Sequence, residues 1–169
     1  MADKKVAVVM GSDSDLETMS LGIEQLAEFG IAFDVQVLSA HRSPDAAAHF
    51  AETAEAEGIE VIIAGAGKAA HLAGVIAAKT ALPVIGVPME TKLSGGLDSL
   101  LSMVQMPRGV PVATMGTGNS GALNAAILAA QILARSDPTL RQKLADYKAE
   151  MAAKVATVSE GVRKKLGLQ

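Results

Sequence analysis

Cysteine is absent from the 169 residues, and aromatic side chains nearly so. Without cysteine there is no disulfide, no thiolate zinc site and no cysteine nucleophile. The aromatics are Phe29, Phe33, Phe50 and Tyr147, 2% of the chain. That argues against base-stacking nucleic-acid modules and aromatic cages, which need π-faces. Basic blocks are missing too. Lys and Arg total 15 against 18 Asp and Glu, a net charge of −3 that suits a phosphate backbone poorly. There is no long hydrophobic run. The most apolar later stretch, Ala122–Ala134, contains Asn124 and Gln131 and falls short of the roughly 20 residues a membrane span needs. The start, Met1-Ala2-Asp3-Lys4-Lys5, carries a basic pair, but the apolar Val6–Met10 behind it is too short for a signal peptide. The expectation is a soluble, cytoplasmic enzyme with neither nucleic acid nor membrane as partner.

What is present is apolar residue. Hydrophobic side chains make up 50% of the chain and mean hydropathy is +0.32, both high for a lone soluble domain. The length predicts one domain over residues 1–169, with residues 136–169 as a helical C-terminal arm. A chain of this size buries roughly 70% of its unfolded surface in one core.

Short β-branched runs recur at Val6–Met10, Phe33–Leu38, Val61–Ala64, Val84–Val87 and Val112–Met115. Each is followed by a Gly, Ser or Pro cluster and then a helix-length segment. Near-continuous apolar strands alternating with helices predict a parallel sheet covered on both faces. Five strands suggest a doubly wound α/β, flavodoxin-like order, 2-1-3-4-5. Helix starts agree. Ser14 to Glu17 reads as a capping box, and Ser43-Pro44 and Ser136-Asp137-Pro138 as N-caps followed by proline. Gly30 and Gly58 stand where helix C-caps belong. Residues Gly121–Ala134 are apolar nearly all round, which favours burial inside an oligomer. From Leu140 a stripe of Leu144, Tyr147, Met151, Val155 and Val158 packs either on its own domain or on a neighbouring subunit.

In an open α/β sheet, ligands bind beyond the carboxyl ends of strands where the strand order reverses. The first three strand exits are therefore the informative segments. The first is Gly11-Ser12-Asp13-Ser14-Asp15. Its hydroxyls and free amides suit a phosphate and the Asp15 carboxylate suits ribose hydroxyls, but plain N-capping explains the same letters. The second is Ser39-Ala40-His41-Arg42-Ser43-Pro44. Arg42 beside Ser39 can fork onto a phosphate, or pair with a surface carboxylate. His41 is the natural proton carrier, since imidazole titrates near neutral pH. The third is Gly65-Ala66-Gly67-Lys68-Ala69-Ala70-His71. Small residues let a flat ligand approach the backbone. Lys68 either holds an anion or is merely solvated. His71 opens a helix and is read as a packed, hydrogen-bonded partner more than a catalyst. His49 is read as ordinary surface.

Several tempting patterns fail. Gly116-Thr117-Gly118-Asn119-Ser120-Gly121 has the dinucleotide spacing but follows the fifth strand, so its glycines serve turn geometry and close packing. No P-loop occurs. A receiver's acid is missing at the end of the third strand, and three scattered histidines make a poor zinc site. The residues alone thus argue for a phosphorylated small molecule held by Ser12, Asp15, Ser39 and Arg42, with His41 moving a proton beside it.

Taken together, Gly11–Asp15, Ser39–Pro44 and Ala64–Gly67 with Ala70-His71-Leu72 closely resemble a purine-biosynthesis family. It is the family of phosphoribosylaminoimidazole carboxylase catalytic subunits, also called N5-carboxyaminoimidazole ribonucleotide mutases. The likeness continues through Leu97-Asp98-Ser99-Leu100, Val104-Gln105-Met106-Pro107-Arg108-Gly109, Asn124-Ala125-Ala126 and Leu128–Leu133, over roughly residues 5–135. His71-Leu72 and Gln105-Met106-Pro107 look like the bacterial mutase class. The other class carboxylates directly from carbon dioxide.

The resemblance implies an isomerase. It moves a carboxylate from the exocyclic nitrogen of an aminoimidazole ribonucleotide to ring carbon C4, with no metal or organic cofactor. His41 takes the position of the family's proton shuttle. Ser12, Ser39 and Arg42 match its phosphate contacts and Asp15 its ribose contact. Ala66, Gly67, Lys68, His71 and Leu72 fall in its substrate site, with the Gly65–Gly67 backbone as a carboxylate cradle. The family is a homo-octamer with sites completed by neighbouring subunits. Two departures stand out: Lys68 replaces a common glycine, and Ala73 a common proline.

Overall fold

In the computed structural model, residues 4–168 are described; Met1, Ala2 and Asp3 of the N-terminal reading and Gln169 of the C-terminal arm lie outside them. The chain divides into two compact units, Met1–Ile132 and Leu133–Gln169.

The first unit is built on five strands: β1 (Val6–Met10), β2 (Phe33–Val37), β3 (Val61–Ala66), β4 (Val84–Pro88) and β5 (Ala113–Thr114). All neighbouring pairs are parallel and the order is 2-1-3-4-5, as the apolar runs predict. Between and after the strands lie α1 (Leu16–Glu28), α2 (Pro44–Thr53), α3 (Leu72–Ala77), α4 (Leu97–Val104) and α5 (Asn119–Leu133).

Every residue of β1, β3 and β4 is buried, because helices cover both faces of the sheet. Ala7, Val9, Ile62, Ala64 and Ala66 share one core with Ala47, Phe50 and Ala51 of α2 and Leu72, Ala73 and Ile76 of α3. The alternate residues Val6, Val8, Val61 and Ile63 are buried on the opposite face. Helices α1 and α5 touch at Gly22, where a Cβ would come within 2.6 Å of the Ala122 carbonyl oxygen.

Three local readings change. The capping box forms one turn early. Ser12, extended at φ −153°, caps a short 3-10 turn (Asp13–Asp15), and Asp15 reaches back to the Ser12 amide; Ser14 and Glu17 do not form it. Strand β3 runs on through Gly65 and Ala66, which the residue types alone read as loop. Glycine is tolerated there because Met19 Sδ and Met89 Cε, 2.7 and 3.0 Å from where its Cβ would stand, fill the space. Strand β5 shrinks to two residues, Ala113 and Thr114, although the Met115 amide still donates to the Gly86 carbonyl. The outer strand β2 is also only half-covered, with Val35 and Val37 exposed.

Gly30 and Gly58 adopt positive φ, 73° and 89°, as C-cap glycines do. The glycines after β5 do serve turns and packing. Gly118 has φ 70° and donates its amide to the Pro88 carbonyl, and Gly121 lies against the Gly116 carbonyl. Helix α5 buries Gly121, Ala122, Ala125, Ala126, Ala129 and Ala130 but leaves Asn124 and Gln131 exposed.

The second unit contains α6 (Pro138–Lys165), capped by Asp137, whose side chain accepts the Leu140 amide. Leu140 and Leu144 are buried and Tyr147 is half-buried, whereas Met151, Val155 and Val158 are exposed. No helix among the described residues is long and apolar enough to cross a membrane.

Candidate active site

The strand order reverses at β1, which has β2 on one side and β3 on the other. The segments leaving the carboxyl ends of β1, β2 and β3 converge there around a cavity of about 500 Å³. That is within the usual range for a small-ligand site, roughly 300–1,000 Å³.

From the first exit come Gly11, Ser12, Ser14 and Asp15. The strand ladder holds this turn, since Gly11 donates its amide to the Gly65 carbonyl at 3.0 Å. The Ser12 amide donates to Asp15 Oδ2 at 3.2 Å, and the Ser14 hydroxyl lies 2.9 Å from Ser12 Oγ. Asp15 is therefore a capping residue and a cavity wall at once. Burial raises its carboxyl above the ordinary 3.8, against the lowering by the Ser12 amide and the Ser14 hydroxyl.

From the second exit come Ser39, Ala40, His41 and Arg42. The loop folds on itself: the Arg42 amide donates to Ser39 Oγ at 3.1 Å, and the Ser43 hydroxyl to the Ser39 carbonyl at 3.1 Å. Arg42 Nη2 crosses to the first exit and donates to the Gly11 carbonyl at 3.3 Å. Its guanidinium is thus held at the cavity by a neutral partner, leaving its charge available to an anion.

From the third exit come Ala66, Gly67, Lys68 and Ala69, and behind them Leu72. His71 is outside the wall but within reach of it. His41 Nε2 lies 2.9 Å from His71 Nδ1, and the rings meet edge to face at 74°. His71 is hydrogen-bonded as expected, but it is exposed and not packed. His49 is on the exposed side of α2, away from the cavity.

Lys68 has φ 60°, a left-handed conformation that costs a non-glycine residue roughly 1–2 kcal/mol. Helix α4 holds it there. The Lys68 amide donates to Ser99 Oγ at 2.9 Å, and the Ser102 hydroxyl lies 3.2 Å from the Lys68 carbonyl. Ser99 is itself fully buried.

A fourth exit also lines the cavity, through Met89, Glu90 and Thr91 after β4. The three-exit reading missed these residues. The signal was the same one, since β4 points its carboxyl end the same way as β3. Thr91 Oγ1 donates to Asp98 Oδ1 at 2.6 Å and keeps that carboxyl below the usual carboxylate range. Among the described residues, no group of three or more His, Cys, Asp or Glu is placed to hold a metal ion.

The cavity can thus do two things. It can bind a ligand through serine hydroxyls and cations, and it can move a proton through His41 beside small backbone residues. Comparison with known proteins adds a family. Residues 5–154 match the model of the AIR carboxylase family. The chain is similar to the N5-carboxyaminoimidazole ribonucleotide mutase of Escherichia coli K12, with 55% identity over 144 residues, 85% of each chain. It is 57% identical to the enzyme of that name from Bacillus subtilis over 139 residues, 82% of this chain and 86% of the other. A crystal structure of PurE from Treponema denticola superposes with a TM-score of 0.86 at 25% identity, covering 95% of this chain and 99% of that one.

Proposed function

The chain belongs to the AIR carboxylase family, and from that membership and the cavity we propose that it is an isomerase of purine biosynthesis. It converts N5-carboxyaminoimidazole ribonucleotide into 4-carboxy-5-aminoimidazole ribonucleotide. The relatives that are more than half identical over most of the chain carry the mutase name. The observation that carries the reading is the meeting of three turns around one cavity with a single imidazole, His41, at its wall.

The roles proposed here combine position at the cavity with the family resemblance. Ser12, Ser39 and Arg42 take the phosphate, and Asp15 the ribose hydroxyls. Ala66 and Gly67 offer close backbone approach to the heterocycle and its carboxylate, and Leu72 closes the wall behind them. The reaction is redox-neutral. The carbamate N–C bond breaks as His41 delivers a proton to the departing nitrogen. Carbon dioxide stays beside the ring, C4 attacks it, and His41 takes the C4 proton. The catalyst regains its proton and no other reactant is consumed. Retention of carbon dioxide is a proximity effect, so holding it against the small-residue wall supplies much of the rate. His71 orients the His41 ring and fixes which nitrogen faces the substrate.

Oligomerisation belongs to the same proposal. Leu97, Leu101 and Val104 of α4 are exposed, as are Met151, Val155, Val158 and Val162 of α6. Apolar faces of this kind suit subunit contacts, and an octamer in the cytoplasm is the arrangement we propose. Light scattering of the purified protein tests the assembly.

The activity test supplies each substrate separately and follows formation of 4-carboxy-5-aminoimidazole ribonucleotide. Turnover with the N5-carboxylated ribonucleotide supports the mutase. Efficient turnover only with aminoimidazole ribonucleotide plus carbon dioxide identifies a direct carboxylase. Binding without either reaction identifies a nucleotide-binding scaffold.

A further inference from the structure

We propose that Lys68 makes this site discriminate carboxylated from decarboxylated ribonucleotide, by holding the ligand carboxylate with its ammonium. This rests on the function proposed above and deepens it. Lys68 lines the cavity on a backbone in the left-handed region, where a side chain is disfavoured and glycine would sit without cost. The conformation is enforced from outside the loop by a fully buried serine, Ser99, whose Oγ accepts the Lys68 amide at 2.9 Å. A strained backbone kept at a non-glycine residue that lines the cavity points to a role for the side chain it carries.

Charge supplies the role. The cavity wall carries two cations from different strand exits, Arg42 from β2 and Lys68 from β3. Arg42 is tied to the Gly11 carbonyl beside the serines of the phosphate end. The described ion pairs are Lys4 with Asp34, Lys5 with Glu60 and Lys79 with Glu52, and none of them engages Lys68. The two carboxylates on the wall have other surroundings. Asp15 accepts the Ser12 amide, and Glu90 lies over Gly118, where a Cβ would come within 2.6 Å of its Oε1. A ligand with two separated anionic groups matches two separated cations. Substrate and product each carry a phosphate and a carboxylate. Aminoimidazole ribonucleotide, formed when carbon dioxide leaves, has only the phosphate. Lys68 therefore binds the two end states more tightly than the intermediate, while carbon dioxide, being neutral, gains nothing from it.

Calorimetry with two probes tests this, using 4-carboxy-5-aminoimidazole ribonucleotide and aminoimidazole ribonucleotide on the intact protein. Lys68→Gln removes the charge and keeps the strained backbone; Lys68→Gly removes both charge and strain. Both should weaken the carboxylated ligand about 5- to 20-fold and leave the other within about twofold. Lys68→Arg should keep the discrimination. Equal losses for the two ligands, or no loss for either, overturn the role of Lys68 while leaving the proposed reaction intact. If wild-type protein binds neither ribonucleotide, the functional reading falls and Lys68 with it.

Discussion

His41 and His71 meet through Nε2 and Nδ1 at 2.9 Å although they leave different strands and stand 30 residues apart. One nitrogen must donate and the other accept, so the contact holds a single proton. It ties the tautomer of one ring to that of the other. Asymmetric losses follow. His41→Asn should keep ligand affinity and fold but lose about 100-fold or more in kcat, because the proton carrier is gone. His71→Asn should lose less, about 10-fold, with KM little changed, because it only orients its neighbour. Steady-state kinetics decide it. An unchanged rate in His41→Asn removes that residue from the mechanism, and equal losses would make His71 a second proton carrier.

Arg42 is expected to read the phosphate and little else. Arg42→Ala should weaken the ribonucleotide about 10- to 100-fold and the matching nucleoside less than about threefold, since only the former carries the anion. Titration of both ligands against both proteins gives the comparison. Equal losses would mean that Arg42 chiefly supports the turn through Gly11, the carbonyl to which it donates at 3.3 Å.

The fold and the candidate site were legible to different depths. The strands stand out because β1, β3 and β4 are buried on both faces and so read as unbroken apolar runs. Their order then identifies which turns flank the reversal point. What stayed hidden depends on contacts across the fold. Gly65 and Ala66 look like loop until Met19 and Met89 are seen filling the space beside the glycine. The start of α1 offers two serines with acids three residues on, and local pattern cannot choose between Ser12 and Ser14. The extended φ of Ser12 where the strand ends makes the choice. Glu90 and Thr91 show no binding-loop pattern of their own, and the readable signal for them was their place at the exit of β4, which pairs parallel to β3. The hold of Ser99 on Lys68 spans 31 residues and follows from α4 packing beside the third exit.

Asp15 should give opposite pH trends for stability and for binding. Burial raises its carboxyl above 3.8 in the folded protein. The folded state then keeps this proton to higher pH than the unfolded chain does. Stability is lost as pH rises from the unfolded value through the folded one, and regained on acidification. Binding of ribose hydroxyls needs the ionised acceptor and weakens on the same acidification. Asp15→Asn keeps an acceptor for the Ser12 amide and removes the titration. Melting curves of the free proteins should show the advantage of Asp15→Asn shrinking as pH falls toward 3.8. Its ligand affinity should lose the wild-type pH dependence in the same range. A wild type that gains on the variant as pH rises would contradict the sign.

Gly22 lets two helices touch, and a methyl there tests how closely. Helix propensity alone favours alanine over glycine by about 1 kcal/mol in the interior of α1. Against that, the new Cβ would meet the Ala122 carbonyl oxygen at 2.6 Å. The obstacle is backbone, so a rotamer change cannot relieve it, and the helices must separate. Overpacking of this kind costs roughly 1–3 kcal/mol, so the clash outweighs the propensity gain at most of that range. Gly22→Ala should therefore lower the melting temperature, by about 2–4 °C per kcal/mol for a chain of this length. Affinity for the ribonucleotide should stay unchanged well below the melting point, because neither Gly22 nor Ala122 lines the cavity. A melting temperature that rises would show that α5 moves aside freely and that the packing of α1 on α5 is loose.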